Sequence, residues 1–294
     1  MSERRTILLT GGNRGLGRAT AEVLAREGHR VLLTARDAAQ GASARESILA
    51  AVPGAAVEVL NLDLGSLDSI RRLAESLRGQ PLDVLLHNAG VMQQSHARRT
   101  TADGFEETLG VNVLGPMLLT RLLLPMLLLA PASRVVCVSS RLHRPASRGV
   151  EVNFDFADPE LSTGYQPDRA YKNSKLAVLW FTYELARRLP PRPITANAIC
   201  PGFVPTTAAE SARGLTRLLL RYLLPRMPFA TSVATAAANI ATMAAGPALE
   251  GKSGTYWEDG AQIDSSPESR DPEKAQRFFD WACARLGLGL NADW

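Results

Sequence analysis

Six short apolar runs, separated by segments of helix length, leave this chain few folds to adopt. The runs are "RTILLT" (5–10), "RVLLTA" (30–35), "AVEVLNLD" (56–63), "LDVLLHNAG" (82–90), "SRVVCVSS" (133–140) and "ITANAICPG" (194–202). Each is apolar almost continuously, the pattern of a strand buried on both faces. Between them lie "GRATAEVLAREG" (17–28), "SLDSIRRLAESLRG" (66–79), the 104–130 region and "YKNSKLAVLWFTYELARRL" opening at 171. Strand, helix and strand joined by short links require a parallel sheet, and right-handed crossovers wrap it on both faces. The expectation is an α/β fold: a Rossmann-type doubly wound parallel sheet of about seven strands with helices on both faces. The seventh strand falls at "SGTYWED" (253–259). No Pro/Ser-rich linker divides the chain, so residues 1–294 read as one domain. Two excursions break the alternation, 141–170 and 203–229, the latter holding "LTRLLLRYLLPRMPF". In open α/β sheets ligands sit beyond strand carboxyl ends, so both excursions are candidate substrate walls.

Composition narrows the function classes. The net charge is +4 over 294 residues, with basic residues scattered rather than massed, which argues against a nucleic-acid partner. Cys137, Cys200 and Cys283 are far apart and have no His at ligand spacing, so neither a disulfide scaffold nor a metal site is expected. A reducing, cytoplasmic setting fits. The apolar stretch 111–130 carries Asn112, Pro116, Arg121 and Pro125 and reads as a buried helix, not a membrane segment.

"TGGNRGLG" (10–17) stands between the first strand and the first helix. Its glycines permit a tight turn, a close backbone approach to a pyrophosphate and close helix packing, while the helix N-terminus offers N–H groups to an anion. The loop does not meet G-x-G-x-x-G literally, because Thr20 stands at the last position. A P-loop fails as well, since Arg18 and Ala19 replace the required Lys and Ser/Thr. A plain glycine-rich turn is the alternative. In "YKNSK", Tyr171 and Lys175 are one helical turn apart on one face. An ammonium beside a phenol is expected to pull the Tyr pKa down toward working pH, producing a proton donor or acceptor.

Taken together, the loop at 10–17, "HNAG" (87–90), "VN" (111–112), "VSS" (138–140), "YKNSK" (171–175) and "CPGFVPT" (200–206) resemble the short-chain dehydrogenase/reductase family, in its order. The resemblance covers about residues 5–260 and is most similar to the retinol-dehydrogenase-like branch, whose closing helix the tail at 271–286 resembles. It implies an oxidoreductase, such as a carbonyl reductase, in which Tyr171 passes a proton to or from the substrate oxygen. Ser140 would hydrogen-bond that oxygen, with Ser139 as its alternative. Lys175 would hold the nicotinamide ribose, and Asn112 would anchor a water of the proton relay. For the cofactor it implies Gly11, Arg14, Gly15, Leu16 and Gly17 around the pyrophosphate. Asp63 and Leu64 would face the adenine, Asn88, Ala89 and Gly90 its ribose, and Val204 with Thr206 the carboxamide; Tyr171 and Lys175 complete the set. His87 is read as strand-end packing and Cys200 as a small buried residue. Relatives suggest a homodimer or homotetramer.

An NAD site wants a carboxylate at the end of the second strand. Arg36 stands there, Asp37 follows, and Arg14 adds a second guanidinium from the loop. Two guanidinium forks suit a 2'-phosphate and favour NADP(H), whereas Asp37 leaves NAD(H) as the alternative. The Leu-rich 203–229 excursion suits a bulky apolar small-molecule substrate, or a packing or dimer contact. Arg141, His143, Arg144 and Arg148 form either an anion contact or a solvated loop. A non-redox or multi-step biosynthetic transformation and a non-catalytic NADP(H) sensor remain as rival functions, because a fold and its catalytic set do not fix the reaction.

Overall fold

A computed structural model describes residues 4–145, 152–189, 193–205, 226–227, 230–289 and 294. The apolar runs become β1 (Thr6–Leu9), β2 (Arg30–Ala35), β3 (Val57–Asn61), β4 (Val84–His87), β5 (Ser133–Val138), β6 (Ile194–Cys200) and β7 (Tyr256–Glu258). All seven are parallel, in the order β3-β2-β1-β4-β5-β6-β7. An eighth strand, β8 (Ala261–Ile263), returns antiparallel to β7 at the edge. The expected sheet of about seven parallel strands is present, and this short antiparallel strand extends it at one edge. Asp259 and Gly260 both hold positive φ, 51° and 78°, and form the two-residue hairpin that creates it.

The helices are α1 (Gly15–Arg26), α2 (Ala38–Ala51), α3 (Leu67–Ser76), α4 (Glu107–Leu128), α5 (Pro167–Arg188), α6 (Val233–Ala245) and α7 (Pro272–Arg285). Successive strand residues point to opposite faces, so β1 feeds two cores. Leu8 packs into the core containing residues of α3, α4, α5 and α7. Ile7 and Leu9 pack into the one containing residues of α1 and α6. In the core on the Leu8 side, Trp180 of α5 is fully buried against Phe154 and Phe278, which docks the 152–156 stretch and α7 on the same helix.

Two local departures bear on the site. Helix α5 begins at Pro167, four residues before "YKNSK", because Pro fits the first helical turn and Asp168 follows there. Tyr171 is therefore already inside regular helix. Helix α4 contains a π-helical turn, Gly110–Leu114, which holds Asn112. By length and composition α4 could cross a membrane, with mean hydropathy 1.7, but 72% of its apolar window is buried within the protein. It is a core helix here.

Candidate functional site

The strand order reverses between β1 and β4, so the loops after these two strands diverge and open a crevice at the carboxyl edge of the sheet. They touch at its base. A Cβ on Gly11, whose φ is +70°, would lie 2.9 Å from the Ala89 Cα. One on Gly17 would lie 2.1 Å from the Gly11 carbonyl oxygen and 2.5 Å from Asn88 Nδ2. Only glycine fits at either position. Thr10 Oγ1 accepts from the backbone N–H groups of Asn88 and Ala89, each at 3.1 Å. Asn88 Nδ2 donates back to the carbonyls of Thr10 and Gly11, at 3.0 and 3.3 Å. Asn88 and Ala89 thus brace the glycine loop, a role that the motif alone did not disclose. Gly90 stands next, where its Cβ would come 3.4 Å from Asn112 Oδ1 and 3.6 Å from Lys175 Nζ.

The loop fits a dinucleotide pyrophosphate. Side chains of Asp37, Ser66, Ser232 and Asp271 cap α2, α3, α6 and α7. At α1 the capping position is Arg14, with extended backbone and no side-chain cap hydrogen bond. The first turn, which includes Gly15, Leu16 and Gly17, belongs to the glycine cradle, and the first-turn N–H groups of a helix, which have no intrahelical acceptor, are the donor set an anion requires. Arg14 and Arg36 are both exposed, one after β1 and the other after its neighbour β2. Asp37, the carboxylate that could have served NAD, caps α2 by accepting from Gln40 N at 2.8 Å. Asp63 likewise accepts from Gly65 N at 2.9 Å, and Leu64 is buried against α4, where Gly115 makes room for its carbonyl. Val204 is buried. Thr206, Arg148 and nearly all of 203–229 lie outside the described residues.

The remaining candidates meet across β5 and α5. Lys175 Nζ donates to the Val138 carbonyl at 3.0 Å, and Ser139 Oγ donates to the Lys175 carbonyl at 3.0 Å. This reciprocal staple fixes the end of β5 against the third turn of α5. It buries Ser139 as a structural hydroxyl and leaves Ser140, half-exposed, toward Tyr171. Asn112 Oδ1 accepts from Val91 N at 2.8 Å, while its Nδ2 donates to Val91 O and to Ser174 Oγ, both at 3.0 Å. Asn173 ties the 152–156 stretch to α5 through two bonds with the backbone of Asn153, at 2.9 and 3.3 Å. Asn173 and Ser174 were passed over in the sequence because an Asn and a Ser inside a helix carry no signal of their own.

Electrostatics correct one expectation. Lys175 does not lower the Tyr171 pKa in the protein by itself. Burial pushes the phenol up to about 12, Cys200 adds to the rise, and a hydrogen bond with Ser140 opposes it. Burial also pushes the Lys175 ammonium down to about 8. The ammonium points at the Val138 carbonyl and sits 5.5 Å from the Tyr171 ring centroid, so desolvation outweighs attraction. His87 is buried at the end of β4 with Nε2 2.7 Å from Thr120 Oγ1, and burial lowers its pKa to about 3; it is packing, as expected. Cys200 is buried, and its thiol pKa is raised by that burial.

Among the described residues of the basic cluster after β5, both arginines are engaged by acidic or carbonyl partners. Arg141 pairs with Glu258 and Asp259, and Arg144 reaches Glu258 at 3.5 Å and the Asp264 carbonyl at 3.1 Å. The acceptors come from the β7–β8 hairpin, whose proximity to 141–144 is visible only in three dimensions.

The profile of the family described as Enoyl-(Acyl carrier protein) reductase matches residues 11–247. Human retinol dehydrogenase 14 is 39% identical over 97% of this chain and 87% of its own length. The chain belongs to the short-chain dehydrogenase/reductase family. Within the family it falls in the retinol-dehydrogenase-like branch. Mouse polyprenol dehydrogenase is 38% identical over 97% of the chain and 84% of its own length. The solved NADP active-site complex of Pseudomonas aeruginosa RhlG superposes with a TM-score of 0.69 at 27% identity, covering 87% of this chain and 95% of that one. This short-chain dehydrogenase/reductase is therefore an oxidoreductase of carbonyl and alcohol groups that uses a nicotinamide cofactor.

Proposed function

We propose that this short-chain dehydrogenase/reductase reduces bulky apolar aldehydes or ketones with NADPH, using Tyr171 as the proton donor. The observation that carries this reading is the convergence of Ser140, Tyr171, Lys175 and Asn112 beside the Gly11–Asn88 cradle. The dinucleotide, when bound, supplies the hydride. Tyr171 keeps its proton across the neutral range because burial holds its pKa near 12, and carbonyl reduction needs that form. Its Oη delivers the proton to the oxygen on which negative charge develops, and Ser140 Oγ donates a hydrogen bond to the same oxygen. Lys175, held at the Val138 carbonyl, places a cation beside Tyr171 and the nicotinamide-side ribose. Asn112 holds the loop after β4 in place and anchors the water that replenishes the relay.

The choice of NADPH rests on Arg14 and Arg36 at neighbouring strand ends, and on the engagement of Asp37 as a helix cap. The relative RhlG is named as an NADP complex, which points the same way. Relatives named for retinol and polyprenol support a long isoprenoid substrate, and Leu142, 43% exposed two residues beyond Ser140, offers an apolar contact. The test is NADPH and NADH oxidation with a panel containing retinal and long-chain aldehydes. Turnover of the apolar members with NADPH is expected. Tight NADPH binding without turnover across the panel contradicts the reading and favours sensing or a non-redox reaction.

A further inference from the structure

His143 is fully buried three residues beyond Ser140, and both of its ring nitrogens are engaged. Nε2 lies 3.1 Å from the backbone nitrogen of Ser266. An amide N–H can only donate, so Nε2 is the acceptor and Nδ1 carries the ring proton. Nδ1 stands 2.6 Å from the Ser140 carbonyl oxygen, to which it donates. The His143 backbone N–H donates to the same carbonyl at 3.2 Å. The ring is held edge-on by Tyr256, with centroids 5.2 Å apart, and Tyr256 donates its hydroxyl to Glu258 at 3.0 Å. No reading of the catalytic set uses this residue.

We infer that His143 is a positioning residue, which clamps the Ser140 peptide to the Ser266 backbone and so fixes where the Ser140 hydroxyl meets the substrate oxygen. The inference rests on the assignment of Ser140 above. Ser140 sits at the turn from β5 into a short 3-10 segment, and its Oγ accepts from Leu142 N at 3.3 Å. At this turn the Ser140 carbonyl has the local His143 N–H as one donor at 3.2 Å, and the imidazole adds a shorter one at 2.6 Å that links it through the ring to Ser266. The clamp also explains why a histidine, rather than an apolar residue, fills a fully buried position: Nε2 accepts from the Ser266 N–H, which would otherwise be orphaned, and Nδ1 gives the Ser140 carbonyl a second donor beside the His143 N–H.

Three substitutions separate positioning from mere packing. His143→Asn keeps a donor near the Nδ1 place, His143→Gln keeps an acceptor near the Nε2 place, and His143→Leu keeps neither. All three are expected to lower the melting temperature. With NADPH and retinal as probes, His143→Leu and His143→Gln are expected to lose kcat by roughly tenfold to a hundredfold, the effect of a slightly misplaced group, at unchanged NADPH affinity. His143→Asn is expected to recover most of that loss, although it is no more stable than the Gln variant. If the kcat values of the Asn and Gln variants simply follow their melting temperatures, or stay at wild type, the inference is overturned. Should the Leu variant not fold, the Asn and Gln pair still decides. Ser140→Ala is measured alongside. If it keeps wild-type kcat, the assignment of Ser140 fails and the clamp with it; if it loses kcat while His143→Gln does not, the clamp alone fails.

Discussion

Asn112 grips Val91 twice, accepting from its N–H at 2.8 Å and donating to its C=O at 3.0 Å. The carboxamide thereby substitutes for a missing strand neighbour and holds the loop after β4 against the π-helical turn of α4. Asn112→Ala leaves the Val91 N–H and C=O without their partner and takes from Ser174 Oγ one of its two hydrogen bonds. A loss of about 2–4 kcal/mol in urea unfolding is expected from these lost bonds. A loss below about 0.5 kcal/mol, the range of ordinary surface changes, contradicts that account.

Gly17 is the tightest point of the cradle. In Gly17→Ala the new Cβ must push on the Gly11 carbonyl and on Asn88, and the distorted loop is expected to bind NADPH at least about tenfold more weakly, the equivalent of 1.4 kcal/mol. Gly79→Ala is the control. Its φ is +75° with open space around it, so it should cost about 1–2 kcal/mol of stability and leave cofactor affinity alone. Fluorescence titration with NADPH distinguishes the two.

Arg36→Asp exchanges a guanidinium for a carboxylate at the end of β2. Replacement of a charge-assisted partner is expected to weaken NADPH by about 1.5–3 kcal/mol and to leave NADH nearly unaffected or slightly improved. Equal losses for the two dinucleotides, measured by calorimetry, remove Arg36 from the recognition of a 2'-phosphate.

Lys175 makes stability depend on pH in a definite direction. Its folded pKa, about 8, lies below the unfolded value of 10.5, so the unfolded chain binds more protons between these values and stability rises with pH through that window. Between about pH 7 and about pH 10 the wild type should gain about 2 kcal/mol relative to Lys175→Met. Tyr171 works in the opposite sense, but only above pH 10, where its folded pKa near 12 exceeds the unfolded 10. Urea unfolding of both proteins at stepped pH tests the slope. Parallel curves contradict a desolvated ammonium.

The sheet was legible because buried parallel strands leave unbroken apolar runs, and all seven parallel strands lie on the runs identified. Helix α2, "AAQGASARESILAA", left no such trace: only Gly41, Ala44 and Ile48 are buried, and alanine marks no face. The site was legible in its residue types and not in their electrostatics. Spacing places Tyr171 and Lys175 together, but the direction in which each pKa moves depends on burial and on the Val138 carbonyl, which no spacing records. The role of Arg141 and Arg144 was hidden for the same reason, since Glu258 is more than a hundred residues away in the chain.

The central claim is that the half-buried Tyr171 phenol gives the proton in an NADPH-dependent carbonyl reduction. The most direct measurement is NADPH consumption with retinal by wild type and Tyr171→Phe, with the NADPH dissociation constant determined for both. The account predicts turnover by the wild type, a loss in kcat on the order of a hundredfold or more in the Phe variant, as befits removal of a general acid, and a dissociation constant within about threefold. Equal kcat in the two proteins would contradict it.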